Sequence, residues 1–560
     1  MKGRRVKNEI FFILHPSSFP HTSLDTPRSI ARAATITSFG NLSSRVIGLV
    51  RDIVKSYFFG NGQAASAFEL ASNLPTQFND LLAGGMLSSA LVPTFSATLT
   101  DDSNLKQRES LGRLLGSLIG ITLLFLAIII TLLWVFAQSI AAFITGGVNQ
   151  DVAVVAGLLR ITIPAILFLN LSGIFAAALH ARRRFAITAF TAALFNISMI
   201  VCVVLFEGWL GINALAIGLL VGSIMQMLLQ IWGLRGIPIR LSLNWRHPGL
   251  SQIMRLYSPV AAGLILAQIG VQISFIVASH ISPEGPATMR YAAQVVQFPL
   301  GMIASAVSAA ILPALSAISP ASHNSNDTLA MAKNRATQNS VSFNATLAQG
   351  LRLVLVLIIP ASVGLYALAL PVVGLLFERG AFSTASTAYT ALSLQAAVPG
   401  LLFAAIDQPL IFAFYARRNT HTPTLIGLAS NMFYLLLVGG QVWLNANNLR
   451  LFSLADLVLA NSLKTGFDAL LMGFFLSRQI NGLRSFGLGH FTLKVVAASL
   501  GMGVGVYASM SALQYYFGNV GLLSHAVVVI GAGIIGAAIY FVLGKLLGLG
   551  EVSTLLSRRI

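Results

Sequence analysis

The feature that most constrains this chain is a near-continuous succession of apolar stretches, each about 20 residues or longer, parted by short polar joints. A helix needs roughly 20 mainly apolar residues to cross the hydrocarbon core of a bilayer, so each stretch predicts a transmembrane span. The stretches fall near residues 33–58, 66–98, 113–143, 153–180, 186–206, 211–233 and 250–280, then 288–318, 350–377, 385–416, 423–445, 453–477, 490–516 and 521–547. The expected fold class is an all-α polytopic membrane protein with about fourteen transmembrane helices. Composition agrees: 56% hydrophobic and 9% charged residues over 560 positions lie far from ordinary soluble usage. The runs near 33–58 and 66–98 are too polar to face lipid on all sides and are expected to face other helices or water.

A net charge of +18 raises the question of nucleic acid, but its distribution answers otherwise. The basic residues gather in alternate joints. Lys2, Arg4, Arg5, Lys7, Arg28 and Arg32 precede the first span; Lys106 and Arg108, Arg182 to Arg184, and Arg235, Arg240 and Arg246 follow. The series continues with Lys333 and Arg335, Arg417 and Arg418, Arg478 and Arg484, and Arg558 and Arg559, while Arg379 and Arg450 are the main exceptions. This is the positive-inside pattern, which places both termini in the cytoplasm and requires an even number of spans. The apolar stretch from Ile10 to Leu14 is too short for a signal sequence, so residues 1–32 are expected to be a cytoplasmic tail. Cys202 is the single cysteine, which excludes an intrachain disulfide and a cysteine metal cluster.

Residues 319–348, rich in Ser, Asn, Ala and Thr, read as a flexible cytoplasmic linker between the eighth and ninth spans. Two pairs of segments suggest an internal repeat. Pro164 to Phe168, followed by Ala181, Arg182 and Arg183, is echoed 235 positions later by Pro399 to Phe403, Ala416, Arg417 and Arg418. Leu91 to Ser96 is echoed 220 positions later by Ile311 to Ser316. Spans four and ten then correspond, as do two and eight. Partners six spans apart share an orientation, so the halves are related by an axis along the membrane normal, a transporter architecture. The expected plan is an N-lobe of spans 1–6 over residues 33–233, a C-lobe of spans 7–12 over residues 234–480, and two further spans within 481–560.

Ionisable groups inside spans cost roughly 2.5–3.5 kcal/mol each, which marks them as candidate functional residues. Arg45, Arg51, Asp52 and Lys55 lie in the first span, and the spacing puts Arg45, Arg51 and Asp52 within one broad helical face. Arg45 is expected near mid-depth. An arginine keeps its charge and offers five donors suited to phosphate or carboxylate, which points to an anion site in a water-filled cleft. The other reading makes Arg51 interhelix glue, paired with Asp52 or Asp80, with Arg45 reaching for the interface. Glu69 and Asp80 in span two, Arg160 in span four and Asp407 in span ten are further candidates; the last two could pair with the first-span charges or bind a coupling ion. Lys464 and Asp468, at i and i+4, suggest a local ion pair. No phosphate-binding loop, zinc-protease or serine-hydrolase signature occurs, so neither an ATP-driven pump nor an enzyme is indicated, and no cofactor is expected.

Ser44 with Arg45, Gly48, Arg51 with Asp52, Phe59 with Gly60, Leu74 with Pro75, Gly85, and Leu91 to Pro93 together resemble the opening of the MurJ (MviN) lipid II flippases of the MOP superfamily. Later stretches agree: Leu159 to Ile161 with Pro164, Asn196 to Ile200, Phe298 to Gly301 with Leu312 and Pro313, Glu378 to Phe382, and Phe414 to Arg417 with Thr422 and Pro423. The resemblance covers roughly residues 33 to 480. It implies two six-helix lobes around a cationic cleft, with the last two helices forming an apolar groove for a polyprenyl tail. The substrate implied is lipid II, an undecaprenyl diphosphate carrying the peptidoglycan disaccharide pentapeptide, moved to the outer leaflet of the bacterial cytoplasmic (inner) membrane by alternating access. Ser44, Arg45, Arg51 and Asp52 match the first-span cavity positions. Membrane lipids and cell-wall synthesis proteins are the implied partners, with no nucleic acid, and the energy would come from membrane potential or an ion gradient.

Departures from the family pattern are specific. Where paired arginines and a glutamate are usual in span two, this chain has Asn79, Asp80 and Gly84, and an acidic position before Ala-Phe is Ser66. In span eight the usual Asp-Arg is Ala293 and Gln294, and the acid before Phe-Pro is Gln297. Two other readings therefore stand beside the lipid II flippase: a flippase for another polyprenyl-linked saccharide or a multidrug exporter of the same superfamily, and a transport-inactive scaffold for cell-wall assembly. The first-span arginines favour an anionic lipid over a cationic drug.

Overall fold

The computed structural model describes residues 27–82, 85–99, 102–146, 150–245, 248–318, 329–417, 419–447, 452–480, 487–518 and 520–552. Every regular element among them is a helix: α1 Pro27–Phe59, α2 Gln63–Leu82, α3 Gly85–Thr98, α4 Leu105–Val135, α5 Ala137–Thr145, α6 Val152–Thr162, α7 Ala165–Ala181, α8 Phe185–Leu210 and α9 Asn213–Gly233. Then follow α10 Pro248–Ile281, α11 Gly285–Ile318, α12 Leu329–Ala367, α13 Ala369–Phe377, α14 Thr384–Ala416, α15 His421–Ala446, α16 Leu454–Gln479, α17 Leu488–Phe517 and α18 Leu522–Leu546. Nine helical stretches among the described residues are long and apolar enough to cross a membrane: α4, α6 with α7, α8, α9, α12 from Ser342, α14, α15, α17 and α18. Charges thin the apolar character of two other long helices, Arg45, Arg51, Asp52 and Lys55 in α1 and Asp456, Lys464, Asp468 and Arg478 in α16.

Local chemistry explains the helix ends. Asn104 caps α4 by accepting from Lys106 N at 3.0 Å, and Ser453 with Asp456 forms a capping box at the start of α16. Pro164 interrupts its span between α6 and α7, whereas Pro399 and Pro409 sit inside a continuous α14. The linker expected over residues 319–348 is corrected: α12 already begins at Leu329, and residues 329–348 hold no glycine before Gly350 and no proline to stop it. Residues 319–328 lie outside the described part, as do residues 1–26 of the expected tail, Gly84, Arg246, Arg418, Arg450, Arg484 and the terminal Arg558 and Arg559.

The chain divides into two units. Unit 1 comprises Met1–Arg51, Ala71–Gln138 and Ala156–Ala261. Within it α7 is the hub, packed on α3, α4, α8 and α9, with α8 and α9 in long contact. Its core gathers Leu91, Phe95, Leu111, Leu115, Phe175, Leu179 and Leu234. Arg182 ties the joint after α7: Nε and Nη2 meet Asp102 Oδ1 and Oδ2 at 3.0 Å each, and Nη1 donates to Gly233 O at 3.4 Å and Arg235 O at 3.2 Å.

Unit 2 comprises Asp52–Leu70, Ser139–Val155 and Ala262–Ile560. Its hub is α14, packed on α11, α12, α15 and α16, so the hub of each unit is the helix that carries the repeated proline motif. Gly400 lets α16 approach closely, and Ser462 Oγ donates to Ala396 O at 2.7 Å beside the Pro399 site. The pair α17 and α18 packs on α12 and α13 around Leu368, Met502, Val506 and Ala532.

Candidate substrate site

In unit 1 the first helix presents its polar face to α8. Ser44 Oγ donates to Ala189 O at 3.4 Å, and seven residues on, two helical turns along the same face, Arg51 Nη1 donates to Asn196 Oδ1 at 2.9 Å. Asn196 Nδ2 donates to Ala192 O at 2.9 Å, which fixes the amide so that its oxygen points at the guanidinium. An amide oxygen satisfies one donor of the guanidinium, so this contact helps to position Arg51 on the α8 side. Arg45 is half-buried beside it in the sequence, and Asp80 of α2 is exposed. Arg160, also exposed, lies with its guanidinium 5.8 Å from the ring centre of Trp134.

Unit 2 holds a second charged group at the end of α1. Asp52 is fully buried and Lys55 is 2% exposed. The Lys55 ammonium meets Glu69 Oε1 of α2 at 2.5 Å and Asp52 Oδ1 at 3.6 Å, and sits 4.4 Å from the ring centre of Tyr291 of α11. Glu69 Oε2 faces Arg290 Nε at 3.8 Å. Two acids and two bases balance in a region where a single unbalanced ion would cost several kcal/mol.

This group is framed by a clasp. The chain turns at Gly60, whose φ of +60° favours glycine, and Tyr291 donates its hydroxyl to Gly60 O at 2.8 Å. Asn61 Nδ2 donates to Thr288 Oγ1 at 3.1 Å, and Ser66 Oγ accepts from Ala287 N at 3.3 Å, in the first turn of α11. Ala381 N donates to Tyr57 O at 2.9 Å, so the segment Glu378 to Phe382 packs on the same turn. Ser66, where the family pattern carries an acid, thus serves a helix N-terminus.

Asp407 is brought into a different company. Its carboxyl lies beside that of Asp468 of α16, whose Oδ1 accepts from Ser430 Oγ of α15 at 2.6 Å. Lys464 turns over the Tyr434 ring, 5.7 Å from its centre, so Asp468 is engaged across helices and not only by the local partner its spacing suggests. Sequence reasoning missed two features. The partnership of Lys55 with Glu69 needs tertiary contact, and Arg290 stands so close to its expected span boundary that it reads as an end residue.

Beside α12, α17 and α18 lies a cavity of about 620 Å³ lined almost wholly by apolar atoms, among them Val356, Pro360, Met502, Val506, Gly533 and Phe541. Tyr540 donates to Val356 O at 2.8 Å at its edge.

Two solved structures share this arrangement of helices. One, "Lipid II flippase MurJ, inward closed conformation", matches with a TM-score of 0.73 at 23% identity over 91% of this chain and 98% of that one. Another, an inward-facing multidrug resistance MATE family transporter of the MOP superfamily, matches with a TM-score of 0.55 at 13% identity over 84% and 98%. Long apolar helices in this arrangement define a multi-pass membrane protein with the fold of these transporters. The family described as "Lipid II flippase MurJ" matches residues 55–526, and the chain belongs to that family. Curated relatives agree: a "Probable lipid II flippase MurJ" of Haemophilus influenzae is 29% identical over 490 residues, 83% of this chain and 90% of the relative. A Vibrio cholerae relative of the same description is 28% identical over 488 residues, 84% and 86%. The "Lipid II flippase MurJ" of Burkholderia cenocepacia is 25% identical over 429 residues, 73% and 79%.

Proposed function

We propose that this chain moves lipid II from the cytoplasmic to the outer leaflet of the bacterial cytoplasmic membrane by alternating access. Fourteen spans carry it, six, six and two, with both termini cytoplasmic; beyond the nine apolar stretches, α1, α2 with α3, α10, α11 and α16 are assigned as the other five. The observation that carries the reading is the polar face of α1, on which Ser44 and Arg51 are held against α8 with Arg45 beside them. A diphosphate leaving water needs fixed positive charge and directed donors, and arginines on this face supply both. Asp52 completes the first-span set as counter-charge to Lys55. Asp80 and Arg160, both exposed, are assigned to the substrate path, and Asp407, buried beside Asp468, to the response to membrane potential or a coupling ion. The apolar cavity against α17 and α18 suits a polyprenyl tail, where each buried methylene contributes about 0.8 kcal/mol. The protein acts as a transporter and not as an enzyme, with membrane lipids and cell-wall synthesis proteins around it.

The test is externalisation of labelled lipid II in bacteria depleted of their own flippase and expressing this chain. Wild type is expected to restore externalisation, and Arg45→Ala and Arg51→Ala to abolish it at equal membrane abundance. A well-inserted wild type that moves no lipid II would refute the assignment and bring forward another polyprenyl-linked saccharide or a scaffold role.

A further inference from the structure

His525 stands in the first turn of α18, 4% exposed, and its Nε2 makes no hydrogen bond to a described residue. A buried ring nitrogen without a partner is costly, so its place calls for a reason. The nitrogen faces Glu378 Oε2 at 3.7 Å, just beyond the range of a hydrogen bond. Two features hold this approach ready. Gly374 makes room for the ring, since a Cβ there would lie 2.5 Å from Nε2. Glu378 is fixed from the other side by the first turn of α14, where Thr387 Oγ1 donates to Oε2 at 2.6 Å and Thr384 Oγ1 to Oε1 at 3.4 Å. Other charges stay away. Of the helices packed on α18, α13 carries no ionisable side chain, and α17 carries His490 and Lys494 only at its far end, besides the exposed Tyr507, Tyr515 and Tyr516. The near end of α12 offers only the exposed Tyr366, with Arg352, Arg335 and Lys333 further back, and Arg379, next to Glu378, donates to Leu375 O.

Histidine is the side chain whose charge ordinarily changes between about pH 5 and 8. A proton taken up from water makes both ring nitrogens donors, which turns this contact into an ion pair with the carboxylate. Loss of the proton removes the charge that holds the ring to Glu378. We infer that His525 and Glu378 form a proton-operated tether, closed in acid and slack in base, that fastens the first turn of α18 to the joint between α13 and α14. Its position on the outer side of the membrane, where it meets the pH of the surroundings, rests on the topology of the transport reading above. The helix it fastens also lines the apolar cavity through Gly533, Gly536 and Phe541, so external acid restrains one wall of that cavity.

The experiment measures hydrogen exchange of the amides of residues 522–528 in the full-length protein in nanodiscs, at about pH 5.5 and about pH 8, as protection relative to the free-peptide rate. Wild type is expected to be protected on the order of tenfold more at the lower pH. His525→Gln and Glu378→Gln are expected to remove the difference. Gly374→Ala keeps both titratable groups but displaces the ring, and is expected to remove it too. Equal protection of wild type at the two pH values would overturn the inference, as would a difference that persists in His525→Gln or in Gly374→Ala. The side is tested separately, because Leu523 is exposed next to the pair and the native cysteine, Cys202, is buried. Labelling of Leu523→Cys by an impermeant maleimide in spheroplasts supports the outer placement; no labelling, with the pH difference intact, refutes the topology alone.

Discussion

The charges gathered where α1 meets α2 and α11, with Asp52, Lys55 and Glu69 buried and Arg290 partly exposed, make a quantitative prediction, because the sum of these four is zero only when all are present. Lys55→Met leaves Asp52 and Glu69 facing Arg290, a net charge of −1, and Glu69→Gln leaves Lys55 and Arg290 facing Asp52, a net charge of +1. Breaking a buried pair on one side costs about 3–5 kcal/mol. With a transition entropy near 2.1 cal/mol/K per residue, 560 residues convert this to a fall in melting midpoint of about 2.5–4 °C. Lys55→Met/Glu69→Gln removes one charge of each sign and restores neutrality, so the double variant should melt above at least one of its parents. The coupling between the two sites should amount to about 2 kcal/mol. The assay is thermal unfolding of the purified protein followed by intrinsic fluorescence, in one detergent at one pH. Single-variant shifts that simply add, or a Lys55→Met midpoint equal to wild type, would refute the claim that these charges sit in a low-dielectric balance.

Two further outcomes follow from the geometry. Arg182→Lys keeps the charge but cannot reproduce the two parallel bonds to Asp102 or the reach to Gly233 O, so it should cost about 2–3 kcal/mol, read as a fall of about 2 °C in the same melt; an unchanged midpoint would contradict the buried bidentate contact. Gly533→Leu fills part of the 620 Å³ cavity, where a side chain at that position meets open space, and should weaken binding of a full-length polyprenyl diphosphate several-fold while leaving a short-chain analogue unaffected; equal affinities for the long chain would remove the cavity as the tail site.

How far the chain could be read in one dimension depends on which forces act along it. Solvent selection by the bilayer works on each stretch of about 20 residues separately, so the helices of α4, α8, α9, α14, α15, α17 and α18 were legible from apolar length alone. Turn and breaker chemistry is also local, yet the sequence reading takes Pro164 only as part of a repeat inside one span, and the helix is interrupted there. Composition misled over residues 329–348, because Ser, Asn and Thr lower helix propensity only slightly and nothing there forbids the extension of α12. In the site, the residue types were visible, Arg51 and Asp52 above all, since charge inside an apolar run stands out by itself.

Partnership was not visible, for a physical reason. Which group neutralises or orients a charge depends on distances of 3–4 Å between residues far apart in sequence. Arg51 found Asn196, 145 positions away, and Asp407 lies beside Asp468. Lys55 and Glu69 are separated by a turn that only the clasp at Gly60 closes, and Arg290 joins them from α11. The amino-acid sequence by itself determined the solvent, the helices and the presence of charges within them, because those follow from transfer energies of single residues. Only the tertiary structure decided which charges are held and which are balanced, because electrostatic energy belongs to pairs and burial belongs to neighbours.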